Sequence, residues 1–361
     1  MTRAEEQNPA CVSTGEPAAA LKAAFTGGAP ARIPVGVCLG GSWPFFVEGC
    51  TLKELLKDPI RAAEIFYGVN ERVDADFITV GTGATALMIG ALGAEIRFAD
   101  NGAPEIMSYL IEKEEDIEAA DIAGALRSEH MLWLKDVARE IIRLNSGRRS
   151  IFVSGRAAFT LAGQMYGLER FSKALYKDKA LAAHLLEFAT DVAAAYYEFM
   201  LELPGLDGIF IADPSASGDV ISRKHYESNA LPYETELVRR LKHHDKLTLM
   251  HICGNITNRL DLLPSSGVQM ISLDSKVDLA EARNILDGRL AISGNVNPVQ
   301  VLEDLAPEEV YRATQSCLEA AGASGGGFML LPGCDISYKV SEENIRAFVK
   351  AARDWREHEL S

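Results

Sequence analysis

Eight short apolar runs, each unbroken rather than alternating, constrain what this 361-residue chain can fold into. They occupy 33–38, 77–80, 151–154, 208–212, 247–252, 269–273, 290–293 and 327–331. A strand with one face in water alternates apolar and polar residues, whereas a run that is apolar at consecutive positions suits a parallel strand covered on both faces. Amphipathic stretches separate the runs. Asp58-Pro59 opens one that carries Ala62, Ala63, Phe66 and Val69 at helical spacing. A long one runs over 179–201, and another starts at Pro307 with Glu308 and Glu309 and stops at Gly322. Ser341 precedes a last one with Ile345, Phe348, Val349, Ala352 and Trp355 on its face.

Strands alternating with helices predict an α/β protein, specifically a (β/α)8 TIM barrel. Residues 1–30, rich in Ala, Gly and Pro, read as an N-terminal helical or loose lead-in, and 31–361 as a single barrel domain. The gap between the second and third runs is too long for one crossover. It predicts an elaboration with extra helix over about 95–144. The triplet Gly325-Gly326-Gly327 precedes a strand instead of following one, so it reads as a loop hinge and not a phosphate cradle.

Composition narrows the partners. Lys plus Arg is 36 and Asp plus Glu is 51, so the formal charge is 36 − 51 = −15. Such a surface argues against nucleic acid or an anionic membrane as partner. No apolar run is long enough to span a bilayer. The polar, acidic N-terminus shows no signal peptide. Six cysteines at irregular spacing (Cys11, Cys38, Cys50, Cys253, Cys317, Cys334) do not read as a disulfide framework. A cytoplasmic protein with reduced thiols is expected.

In barrels of this kind chemistry gathers at the C-terminal ends of the strands. Reading each run to its end gives Arg156, Asp213, His251 with Cys253, Asp274, Asn295 with Asn297, and Cys334. A His-x-Cys step on extended chain points both side chains to one side. Two thiolates and an imidazole suit a zinc ion with one position left open, Zn2+ being the expected metal. Cys317 reads as a packing residue on the helix after Pro307, and the remaining histidines as surface or packing residues of helices. Asp274 reads either as a fourth ligand or as an acceptor that orients His251. A site with two thiolates favours alkylation of a bound sulfur, because a thiolate-rich shell keeps that sulfur nucleophilic while the metal lowers its pKa. Arg156 reads either as the holder of an anion on the acceptor or as half of a salt bridge.

The segments Ile-Ala-Asp213-Pro-Ser-Ala-Ser, Met-His251-Ile-Cys253-Gly, Ile-Ser-Gly-Asn295-Val-Asn297-Pro and Leu-Pro-Gly-Cys334-Asp resemble the uroporphyrinogen decarboxylase superfamily. More narrowly they resemble its methylcobamide:coenzyme M methyltransferase branch. The resemblance runs from about residue 20 to the end. It implies a barrel whose zinc, held by His251, Cys253 and Cys334, binds a small thiol substrate such as coenzyme M. That thiol takes a methyl group from methylcobalamin, a corrinoid carried on a partner protein. Asp213, Asn295 and Arg156 are then the candidates for binding substrate. The lower-ligand signature Asp-x-His-x-x-Gly is not met around His251, because position 249 is Leu, so the corrinoid protein is expected as a separate partner.

Three other readings stay open. A tetrapyrrole decarboxylase of the uroporphyrinogen type needs no metal and is similar to chains with an arginine-rich N-terminal loop. Here the corresponding stretch is Leu39-Gly-Gly-Ser-Trp-Pro-Phe-Phe, with no arginine. Cobalamin-independent methionine synthase has a similar His-x-Cys…Cys zinc but a long duplicated N-terminal half that this chain lacks. The third is a non-catalytic barrel with structural zinc that binds a corrinoid protein.

Overall fold

The structure, a computed structural model, describes residues 15–28, 30–37, 41–100, 102–322 and 327–359, the last four by backbone alone. Cys11, Cys38, the start of the Leu39 loop and Gly325-Gly326 lie outside the described residues.

Among the described residues nine strands form: β1 (Phe77–Val80), β2 (Ile96–Arg97), β3 (Glu105–Ile106), β4 (Ser150–Arg156), β5 (Gly208–Ala212), β6 (Leu247–Ile252), β7 (Met270–Leu273), β8 (Ala291–Val296) and β9 (Phe328–Pro332). Seven of them make one parallel sheet in the order β1-β4-β5-β6-β7-β8-β9, with neighbours in space following one another along the chain. The first expected run is not a strand of this sheet. It supplies single parallel bridges, Val35 to Leu330 of β9 and Gly36 to Phe77 of β1. One short segment therefore touches both ends of the sheet, which is strongly curled.

Helices cover the outer face. Pro59–Arg72 buries the expected Ala62, Ala63, Phe66 and Val69, and its first turn is capped by Asp58, whose carboxylate accepts from Arg61 N at 3.0 Å. Lys179–Leu201, Pro307–Ala320 and Glu342–Glu359 also form where their patterns predict. Ser341 Oγ accepts from Asn344 N at 3.1 Å as the cap of the last. The elaboration is real. It holds the antiparallel pair β2–β3 and the helices Glu115–Ala119, Ile122–Leu126 and Glu129–Asn145. No helix of the described residues is long and apolar enough to cross a membrane.

Two cores result. The larger lies between sheet and helices. The smaller lies inside the curl and gathers Phe77, Phe152, Phe210, Leu249, Met270, Ala291 and Met329 from the strands. The helix Glu16–Phe25 closes its base with Leu21, Ala24 and Phe25, whose ring lies 5.6 Å from that of Phe152. Strand side chains repeat every two residues. Two positions further along each strand the same face therefore presents Thr79, Ser154, Ala212, His251, Ser272, Ser293 and Leu331. The interior passes from phenyl and aliphatic groups at the base to mainly polar groups toward the C-terminal ends.

Candidate metal centre

Above that polar layer lies a cavity of about 940 Å³. Its floor includes Arg156, Phe210, His251, Cys253 and Cys334, and residues 103–109 of the elaboration form part of its wall. β6 delivers Leu249, His251 and, one step past its end, Cys253 to one face, as the period-two reading predicts. His251 is buried and pairs in register with Ala212 and Ser272. β9 delivers Cys334 two residues beyond its end.

Two glycines allow the arms to converge. Gly254 follows Cys253 at φ 75°, and a Cβ there would meet Ser217 Oγ at 2.4 Å. Gly333 precedes Cys334, and a Cβ there would meet Ser275 N at 2.6 Å. Only a residue without a side chain fits either place.

His251 Nε2 lies 3.2 Å from Cys253 Sγ, which lies 3.7 Å from Cys334 Sγ. All three ligand atoms fall within 4.8 Å of one another. Sulfur and nitrogen ligands at ~2.3 and ~2.0 Å from one tetrahedral ion stand roughly 3.5–3.8 Å apart, so the observed spacings are close to those an ion requires. The imidazole is oriented for this. Its Nδ1 is 3.1 Å from both the carbonyl and the hydroxyl oxygen of Ser272, and Nδ1–H donates there, leaving the Nε2 lone pair free. Without a metal the two sulfurs share a proton. The bond from Cys253 S–H pushes the Cys334 thiol far down, and Cys253, which keeps that proton, is pushed up. Cys317 shares no proton with another thiol: burial, partly offset by the bond from Asn295 N–H, pushes it up to about 11.

The other expected residues fall in different places. Arg156 lines the cavity, and among the described residues no carboxylate pairs with it, so its salt-bridge alternative is not seen. Asp274 is outside the cluster of three. Its Oδ2 accepts from Gly254 N at 2.8 Å and its Oδ1 from Lys276 N at 3.0 Å, so it fixes the backbone after Cys253. Ser272, not Asp274, orients His251. Asn295 does not line the cavity. Its Nδ2 donates to the carbonyls of Asp274 (3.0 Å) and Val277 (2.7 Å) and so ties β8 to the loop after β7. Asp213 is also turned away from the cavity and is fully buried. Its Oδ1 accepts from Thr160 N at 2.8 Å and Thr160 Oγ1 at 2.5 Å, because β5 ends beside the helix Ala158–Tyr166. Burial pushes its carboxyl up to about 6, beside Glu234, whose own carboxyl burial pushes well above the usual range.

Sequence reasoning missed Ser272, Glu234 and Gln164. Ser272 was accessible, since it lies two residues before Asp274 on the same strand face. Gln164, whose buried Oε1 has no partner among the described residues, lines the cavity from a helix and carries no strand-end signal. A second cluster, Glu198 with His243 and His244, sits at the opposite end of β6. There His244 Nε2 bonds directly to Glu198 Oε2 at 2.5 Å, which leaves no room for an ion between them.

A family profile for uroporphyrinogen decarboxylase (URO-D) matches residues 16–355. The chain is 32% identical over 254 residues to methylcobamide:CoM methyltransferase MtbA of Methanosarcina acetivorans, covering 70% of this chain and 72% of that protein. It is 26% identical over 291 residues to the uroporphyrinogen decarboxylase of Geobacter sulfurreducens, covering 78% and 81% respectively. A solved methyltransferase from Methanosarcina mazei superposes with a TM-score of 0.85 at 21% identity, over 95% of this chain and all of that one. It shares the fold. The chain thus belongs to the uroporphyrinogen decarboxylase (URO-D) family and is an enzyme of that family, with methylcobamide:CoM methyltransferase MtbA among its relatives.

Proposed function

We propose that this protein is a zinc-dependent methyltransferase that moves a methyl group from a methylated corrinoid, carried on a partner protein, to a small thiol such as coenzyme M. In this reading the fold is a closed (β/α)8 barrel, with the Val35–Gly36 segment standing as its first strand. The carrying observation is the convergence of His251 Nε2, Cys253 Sγ and Cys334 Sγ on the floor of the cavity. These residues would hold the ion, and zinc bound there supplies a Lewis acid in a sulfur-rich shell, which lowers a thiol's pKa without destroying its nucleophilicity.

The chain's own residues do the rest. Ser272 holds the His251 tautomer, and Asp274 holds the turn after Cys253. Arg156 faces the same cavity and would hold an anionic group on the acceptor. The acceptor's proton leaves to solvent, its sulfur lone pair forms the new C–S bond, and the electron pair of the broken bond stays with the corrinoid. The cavity has room for a corrinoid face to approach, so positioning contributes to the rate. Among the described residues, Arg156 is the one cationic side chain on the cavity wall, beside Glu105, Glu112 and Asp335. That lining suits a small acceptor with one anionic group better than a porphyrinogen with many carboxylates.

The test is methyl transfer from free methylcobalamin to a panel of thiols, with metal content measured alongside. Expected are one zinc per chain, transfer to at least one anionic thiol, and loss of both metal and transfer in Cys253→Ala and Cys334→Ala. A carefully purified enzyme without zinc would favour the decarboxylase reading. Zinc whose X-ray absorption never gains a sulfur neighbour with any thiol would favour the structural one.

A further inference from the structure

The buried pair Asp213 and Glu234 is used by no step above. Both are wholly buried, and Asp213 Oδ2 and Glu234 Oε1 receive a hydrogen bond from no donor among the described residues. Burial raises both carboxyls and the charge of Asp213 raises Glu234 further, so two interacting acceptors kept out of water are satisfied by one proton held between them. Tyr226 Oη donates to Glu234 Oε2 at 2.6 Å. Arg259, also fully buried, donates to the carbonyls of Ala216 and Ile221, each at 2.8 Å, with its guanidinium 5.0 Å from the Tyr226 ring. Two carboxyls with one proton carry one negative charge, and Arg259 carries one positive. The cluster is therefore neutral overall, which is what lets it persist out of water.

This cluster grips the loop 213–221, and that loop touches the metal arm at two places. Asp213 N donates to His251 O at 2.8 Å. Ser217 and Asp219 pack directly over Gly254, next to Cys253. On the far side Thr160 Oγ1 both donates to Asp213 and accepts from Ser215 N at 3.0 Å.

We propose that Asp213, Glu234 and Arg259 are positioning residues for the His251–Cys253 arm, acting through the loop 213–221 and not on the substrate. The inference rests on the metal reading of the site. The expected size is that of other groups that support metal ligands, whose loss costs about 10–100-fold in affinity.

The experiment is Co2+ binding by the full chain, read as the affinity from chelator competition and as the sulfur-to-cobalt charge-transfer and d–d bands, with circular dichroism to confirm folding. Glu234→Gln keeps a donor toward Asp213 and an acceptor for Tyr226, and should stay within about threefold of wild type. Glu234→Leu leaves Asp213 Oδ2 without a donor, and should bind Co2+ at least about tenfold more weakly with altered d–d bands. Should Glu234→Leu fail to fold, Thr160→Val removes the donor on the other side and should shift the same readouts in the same direction. Wild-type affinity and bands in a folded Glu234→Leu, or in Thr160→Val where Glu234→Leu does not fold, overturn the proposal while leaving the metal reading intact. Glu234→Gln as impaired as Glu234→Leu overturns it too, because the neutral pair would not be the operative feature. A wild type that takes up no Co2+ sinks the metal reading and this inference together.

Discussion

Three thiols within one fold differ sharply in character. Cys334 is the acidic member of a proton-sharing pair, while Cys317 is held up at about 11 by burial. Since the thiolate is the nucleophile, iodoacetamide applied to metal-free protein at about pH 7 should modify Cys334 first. Cys317 should stay unmodified until the pH approaches about 10, where its thiolate fraction becomes appreciable. Peptide mass mapping across pH checks the order, and added zinc should protect Cys334 but leave Cys317 unchanged. Ser272 gives a contrasting expectation. Its carbonyl as well as its hydroxyl lies 3.1 Å from His251 Nδ1, so Ser272→Ala keeps the tautomer and should alter metal affinity by less than about threefold. Arg156→Leu should raise KM for an anionic thiol by roughly tenfold or more, with a smaller change for an uncharged thiol, as loss of a charge-assisted bond requires. At this scale the donors were legible because strand-end position and period-two spacing are written in the sequence. The direction of the Asp213 and Asn295 side chains was not, because it depends on Thr160 and on the carbonyls of Asp274 and Val277, which are distant in sequence.

The elements show a related division. The apolar runs predicted seven of the sheet's strands, since burial on both faces leaves a local signature. The first run forms only bridges at Val35 and Gly36, a pairing that only the chain's end at β9 can complete. The extra helices at 115–145 were expected in bulk, but their delivery of 103–109 to the cavity wall rests on tertiary packing with no periodicity to announce it. The turn at Gly254 belongs to this scale. Gly254→Ala must bear an unfavourable φ and push against Ser217 and Asp219, at a cost of about 1–3 kcal/mol. Chemical denaturation should show that loss, and metal affinity should fall with it because Cys253 moves.

Across the whole molecule the interior is graded, with aromatic packing at one end and the donor cluster at the other. The two ends should therefore separate on mutation. Phe25→Ala removes a ring packed at a tilt against Phe152 at the base of the curled sheet, and should destabilise by about 3–5 kcal/mol. Metal affinity at the opposite rim should barely move, and thermal melting with metal titration on the same variant checks both. The order in which the chain supplies the three proposed ligands has a consequence of its own. The imidazole and first sulfur are present once β6 exists, whereas the second sulfur comes only after β9, beside the segment that joins the sheet's two ends. A nascent or nicked polypeptide ending short of residue 328 would hold an ion by two donors only, so tight zinc capture would serve as a certificate that the ring has been completed.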